Sequence, residues 1–79
     1  MKIEVLGTGC MKCKRLAKNV DVAVAELGIS AEIEKVEDIT AIMDKGVMLT
    51  PALIVDGELK VSGRVADVKE IKGILQGGN

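Results

Sequence analysis

The chain has 79 residues, 48% of them hydrophobic, and contains no Phe, Trp, Tyr or His. Without aromatic rings there is no platform for stacking bases or caging a quaternary ammonium, and without imidazole there is no histidine relay or histidine-ligated zinc. Eleven basic against twelve acidic side chains leave a formal charge of −1, which gives no electrostatic case for nucleic acid or a membrane surface as partner.

A chain this short is expected to form a single domain over residues 1–79, with a marginal core that buries roughly 60% of its extended surface. Its apolar runs are a few residues long, far below the ~20 that a membrane span needs. Met1-Lys2-Ile3-Glu4 reaches a charge at once, without the apolar stretch of a signal peptide. A soluble cytoplasmic domain is the expectation.

Lys2–Leu6 is short and rich in apolar residues, and it ends in Gly7-Thr8-Gly9, which predicts a strand leaving into a tight turn. From Cys10 the period changes: Cys13, Leu16, Ala17, Val20, Ala23, Val24 and Leu27 form one apolar stripe of a helix, with Gly28 as its left-handed cap. Ala31–Val36 alternates as a second strand. Asp38 is placed to cap a short helix holding Ile39, Ile42 and Met43, which Gly46 stops. Val47–Thr50 leads into Pro51, then Ala52–Val55 and an alternating run with Leu59 and Val61 flank Asp56-Gly57. That dipeptide between two such runs is a strong signal of a type I′ hairpin. Gly63-Arg64 breaks the last strand, and Asp67 with Glu70 resembles a capping box ahead of a helix that buries Val68, Ile71, Ile74 and Leu75. Gly77-Gly78-Asn79 is expected to fray. The order β-α-β-α-β-β-α implies an α/β fold whose small mixed four-stranded sheet is flanked by three helices, its first two strands parallel.

Cys10 and Cys13 carry the chemistry. A C-x-x-C pair closes almost no loop, so it adds little as a staple, and by itself it fits either a redox dithiol or half of a soft-metal site. At a helix N-terminus the exposed Cys10 is favoured as thiolate, whereas Cys13 on the apolar stripe is kept protonated by desolvation. That asymmetry suits an attacking and a resolving role. Lys12, Lys14, Arg15 and Lys18 each oppose the helix dipole by ~0.3–1 kcal/mol, yet would favour a thiolate at Cys10. They read equally as a solvated basic face, partly offset by Glu residues elsewhere. An inert pair of small helix-start residues is the third reading.

In these residues the chain resembles the thioredoxin superfamily, in particular its short archaeal and bacterial redox-active disulfide members of glutaredoxin size. Strand Lys2–Leu6, the Gly7-Thr8-Gly9 turn, Cys10-Met11-Lys12-Cys13, Thr50-Pro51 ahead of Ala52–Val55, Asp56-Gly57 and Gly63-Arg64-Val65 carry the likeness, in order, over essentially the whole chain. The resemblance implies a thioredoxin-like fold with Pro51 in the cis form, placing the Thr50 backbone against the dithiol to pair with an incoming substrate strand. It implies a dithiol–disulfide oxidoreductase, with Cys10 attacking a partner's disulfide and Cys13 releasing the mixed disulfide. Gly9, Met11, Lys12 and Gly63 join Thr50 and Pro51 as substrate-facing residues. Glu4, six residues ahead of Cys10, stands where thioredoxins carry a buried acid and is a candidate proton relay to Cys13; the residues alone put it on the surface of an edge strand.

No metal and no cofactor beyond the Cys10–Cys13 disulfide is called for. The implied partners are protein disulfide substrates and an upstream reductase, with the chain itself a monomer. The chain departs from thioredoxins at Gly9, where they have Trp, and at Met11-Lys12, where they have Gly-Pro and glutaredoxins commonly have Pro-Tyr. The partner-facing surface is therefore expected from Gly7, Thr8, Met11, Met48 and Leu49. A copper or zinc carrier of the ferredoxin-like type is the alternative. Its order β-α-β-β-α-β ends on a strand, however, and it usually has Met where Thr8 stands.

Overall fold

Lys2–Leu6 carries apolar side chains to both sides, and the sheet is built around it. In the computed structural model, which describes residues 1–77, β1 (Lys2–Leu6) lies between β2 (Glu32–Val36) and β3 (Ala52–Val55). It runs parallel to β2 and antiparallel to β3, and β4 (Glu58–Ser62) completes the order β2-β1-β3-β4 by an antiparallel pair with β3. Helices α1 (Met11–Leu27), α2 (Ile39–Asp44) and α3 (Val68–Leu75) complete the expected β-α-β-α-β-β-α order. Of the tail expected to fray, Gly78 and Asn79 lie outside the described residues.

Strand alternation divides the core in two. Ile3, Val5, Leu53, Val55 and Val61 pack against Leu16, Ala17, Val20 and Ala23 of α1 and Ile71 and Leu75 of α3. On the other face Leu6, Ala52 and Ile54 meet Val36, Ile42 and Val47. Of the apolar residues of α2, Ile42 alone is buried: Ile39 and Met43 are 60% and 68% exposed, because a six-residue helix turns a single side chain inward.

The helix ends follow their local chemistry. Gly28 (φ 65) donates its N–H to the Val24 and Ala25 carbonyls, and Asp38 and Asp67 accept the Ala41 and Glu70 N–H groups. The second half of the capping box does not form. Arg64 binds both carboxylate oxygens of Glu70, at 2.7 Å for the Nη1–Oε1 bond, and draws the side chain away from the helix start. Asp56 and Gly57 both have positive φ (50 and 85), as a type I′ turn requires.

The surface placement of Glu4 is corrected. β1 is paired on both sides, so Glu4 lies inside the sheet and is only 8% exposed. By alternation it shares the face of Leu6, beneath α2, where its carboxylate accepts from Lys45 Nζ at 3.2 Å and pairs with Lys2 at 3.6 Å.

Candidate active site

β1 delivers the chain to Gly7, whose N–H donates to the Val36 carbonyl at 2.9 Å, and Gly9 (φ 87) turns it into α1. Cys10 then occupies the N-cap, with extended backbone (φ −69, ψ 169) and its sulfur accepting the Cys13 N–H at 3.3 Å. A thiol thus stands where Ser or Asp would usually cap, and a thiolate accepts that bond better.

The two sulfurs are 2.7 Å apart as a dithiol, Cys10 exposed and Cys13 buried. The thiol pKa values are driven apart. Cys10 is lowered, first by the hydrogen bond from the Cys13 thiol and next by the Cys13 N–H. Cys13 is raised, first by burial and then by donating to Cys10. Hydrogen bonding leads the lowering at Cys10; the expected Coulomb help from Lys12, Lys14, Arg15 and Lys18 is not among its leading causes. The sign gives a testable profile. Alkylation of Cys10 by iodoacetamide should rise to its plateau at a lower pH than that of an unperturbed thiol, with Cys13 ionising above it. Coincident profiles for the two thiols would remove the asymmetry.

Gly7 sits against the buried thiol. A side chain there would overlap Cys13 Sγ, come within 2.9 Å of Cys13 Cβ and stand 3.9 Å from Pro51 Cα, so Gly7 lies between the dithiol and the proline. Its absent Cβ is what lets α1 and the proline loop close on β1. Gly7 is accordingly buried, not part of a partner-facing surface, whereas Thr8 is exposed and Met11, Met48 and Leu49 are 77%, 93% and 62% exposed.

The Thr50–Pro51 bond is cis, and Pro51 is fully buried. Pairing of β3 begins at Ala52, so the exposed Thr50 lies just beyond both ladders. Gly63 (φ 79) donates its N–H to the Pro51 carbonyl at 2.9 Å, and a Cβ on it would stand 3.2 Å from Leu49 Cβ. Ser62 Oγ donates to the Leu49 carbonyl at 3.2 Å. The end of β4 therefore holds the proline loop. Ser62 carried no motif in the sequence, because its importance comes from a partner 13 positions away.

The structure thus gathers Gly9, Cys10, Met11, Lys12, Cys13 and Pro51 at one end of the sheet, where β1 ends and β3 begins, with Thr50 before the proline and Gly63 just past β4 joined to it by the Gly63–Pro51 hydrogen bond. Glu4 is not among them. Val5 lines a cleft of about 360 Å³ with Cys13 and Gly7, so Glu4, the residue before it in β1, faces the opposite side and is held by Lys45. Among the described residues no group of three or more Cys, Asp or Glu stands together as a metal cluster, and no helix is long and apolar enough to cross a membrane.

A mixed four-stranded sheet, a dithiol capping its first long helix and a cis-proline loop beside the inner thiol define a thioredoxin-like protein. The family model described as a thioredoxin domain matches residues 1–76. A protein named thioredoxin from Methanothermobacter thermautotrophicus is 53% identical over 75 residues, covering 95% of this chain and 97% of that one. Another so named, from Methanocaldococcus jannaschii, is 44% identical over 74 residues, covering 94% and 85%. The chain belongs to the thioredoxin domain family, a family of thiol–disulfide oxidoreductases.

Proposed function

We propose that the protein exchanges disulfides with partner proteins through Cys10 and Cys13, as a single domain and a monomer in the cytoplasm. The observation that carries this reading is the split environment of the two thiols: Cys10 exposed and capping α1, Cys13 buried beneath it. The Cys10 thiolate attacks one sulfur of a partner disulfide, forming a mixed disulfide and releasing the other sulfur as a thiolate. Cys13 then gives up its proton and attacks Cys10 Sγ, closing Cys10–Cys13 and releasing the second partner thiol. Two electrons pass from the dithiol to the partner, and an upstream dithiol reductase returns them.

The exposed Thr50, joined to the buried Pro51, with Gly9, Met11, Lys12 and the loop held by Gly63, supplies the surface on which the partner strand lies. No cofactor beyond the cysteine pair enters the cycle. Glu4 has no part in the proposal, since Lys45 and Lys2 hold its carboxylate on the far face of the sheet.

The test is turnover. Catalytic amounts of the protein should accelerate reduction of a protein disulfide by dithiothreitol, and Cys10→Ser should abolish the acceleration. Turnover that persists in Cys10→Ser, or that is missing in the parent, would sink the proposal. Stoichiometric zinc or copper held by both thiols in protein purified under reducing conditions would favour a carrier instead.

A further inference from the structure

Four cations stand on the first two turns of α1, and no ion pair among the described residues accounts for them. Lys12, Lys14, Arg15 and Lys18 are all exposed. The ion pairs among the described residues use Lys2, Lys45, Lys60, Arg64 and Lys72, and none reaches these four. The first turn of α1 holds no acidic residue of its own, so its positive charge meets the positive end of the helix dipole, where the carboxylate at hand is that of Glu37, 3.8 Å from where a Cβ on Gly9 would stand. Lys14 and Lys18 line the cleft beside Cys13 together with Lys35, and Asp21 and Glu37 stand in the same cleft without closing an ion pair on either. The cations thus disfavour the helix that carries them, and hydrogen bonds lead the lowering of the Cys10 pKa in their place.

Their spacing gives the group a direction. Met11, Lys14, Arg15 and Lys18 fall at i, i+3, i+4 and i+7, which places them on one outward stripe of the helix. The stripe has an apolar tip next to Cys10, with the 77%-exposed Met11, and positive charge begins one turn behind it, roughly 5 Å along the axis and onward. Lys12 flanks it. A partner whose disulfide lies on Cys10 would present the residues beside that disulfide to this charge.

We infer that the basic stripe of α1 is a docking surface for acidic partner proteins, so that disulfides flanked by Asp and Glu are the preferred substrates. A nucleic acid fits less well: the chain has no aromatic side chain for bases, its net charge is −1, and the cations adjoin the dithiol. The inference rests on the oxidoreductase reading above and adds the chemistry of the partner to it.

Three disulfide-linked peptides of equal length, with acidic, neutral and basic flanks, separate the two. At low ionic strength the acidic peptide should be reduced about tenfold faster than the basic one, from several weak charge pairs acting together. The preference should shrink to about twofold or less near 0.5 M salt, where screening acts within a few ångströms. Lys14→Glu combined with Lys18→Glu should reverse the order of the peptides, and circular dichroism checks that the helix remains. Equal rates for all three peptides at low salt would overturn the docking inference and leave the oxidoreductase reading standing. No reduction of any peptide would overturn both. If the double variant lost iodoacetamide reactivity at Cys10 by the same factor, the cations would be acting on the thiolate and the inference would fall. Retention of a short DNA duplex, lost on the same charge reversal, would assign the stripe to nucleic acid.

Discussion

Cys13→Ser is expected to turn the protein into a trap: incubated with a protein disulfide, it should accumulate a mixed disulfide through Cys10. The exposed Cys10 thiol still attacks, its sulfur still capping α1 and accepting the N–H of residue 13, but the sulfur that would release the partner is gone. Release then depends on external thiol in place of one held 2.7 Å away, and turnover should fall on the order of 10³-fold or more. Cys10→Ser should trap almost nothing, because Cys13 is buried and its pKa is pushed up by desolvation. Non-reducing gels followed by mass spectrometry of the adduct read the result. Equal trapping by the two variants would refute the assigned roles, and trapping only by Cys10→Ser would invert them.

The second large effect is expected at Gly7. Alanine there puts a methyl group onto Cys13 Sγ and within 2.9 Å of Cys13 Cβ, on a helix turn that cannot retreat without pulling Leu16 out of the core. Overpacking of this kind costs about 1–3 kcal/mol, and the overlap with a backbone-anchored group argues for the upper end. Urea unfolding measures it. Gly7 has no positive φ, so backbone strain does not enter the comparison. In a Cys13→Ala background the sulfur is absent, and Gly7→Ala should cost clearly less; equal costs in both backgrounds would show that the clash lies elsewhere. Gly7→Ala should also slow resolution and let mixed disulfide build up with both cysteines present, since Cys13 is displaced from Cys10.

Much of this was legible along the chain because it rests on local physics. The apolar stripe from Cys13 to Leu27, the Gly28 cap, Asp38 and Asp67 as caps and Asp56-Gly57 as the turn each depend on neighbours within a few residues. The cis form of Thr50–Pro51 was different: most X-Pro bonds in folded proteins are trans, and the expectation came from the likeness to thioredoxins. Where a local rule met a longer-range competitor, the competitor won. Glu70 should complete a capping box, yet Arg64 takes its carboxylate in a two-point bond that a single cap bond does not match. Glu4 followed the same logic: six residues ahead of Cys10 it matched a spacing, but spacing along a strand does not say which face a side chain takes.

Composition and spacing together pointed to two thiols as the candidate reactive groups, one at a helix start and one on its apolar stripe. The absence of aromatic and histidine side chains had already removed most other readings. Only the tertiary structure decided which residues stand around the thiols. Gly7 proved to be the seat of Cys13, Ser62 and Gly63 the anchors of the proline loop, and Glu4 the partner of Lys45 on the opposite face. These relations join segments distant in the chain, and they follow from the pairing of β1 between β2 and β3, which no local pattern encodes. The same distinction holds for the charges. The near-balance of the whole chain is visible in its composition, but that no ion pair among the described residues reaches the four cations on α1 depends on where the other side chains lie in space.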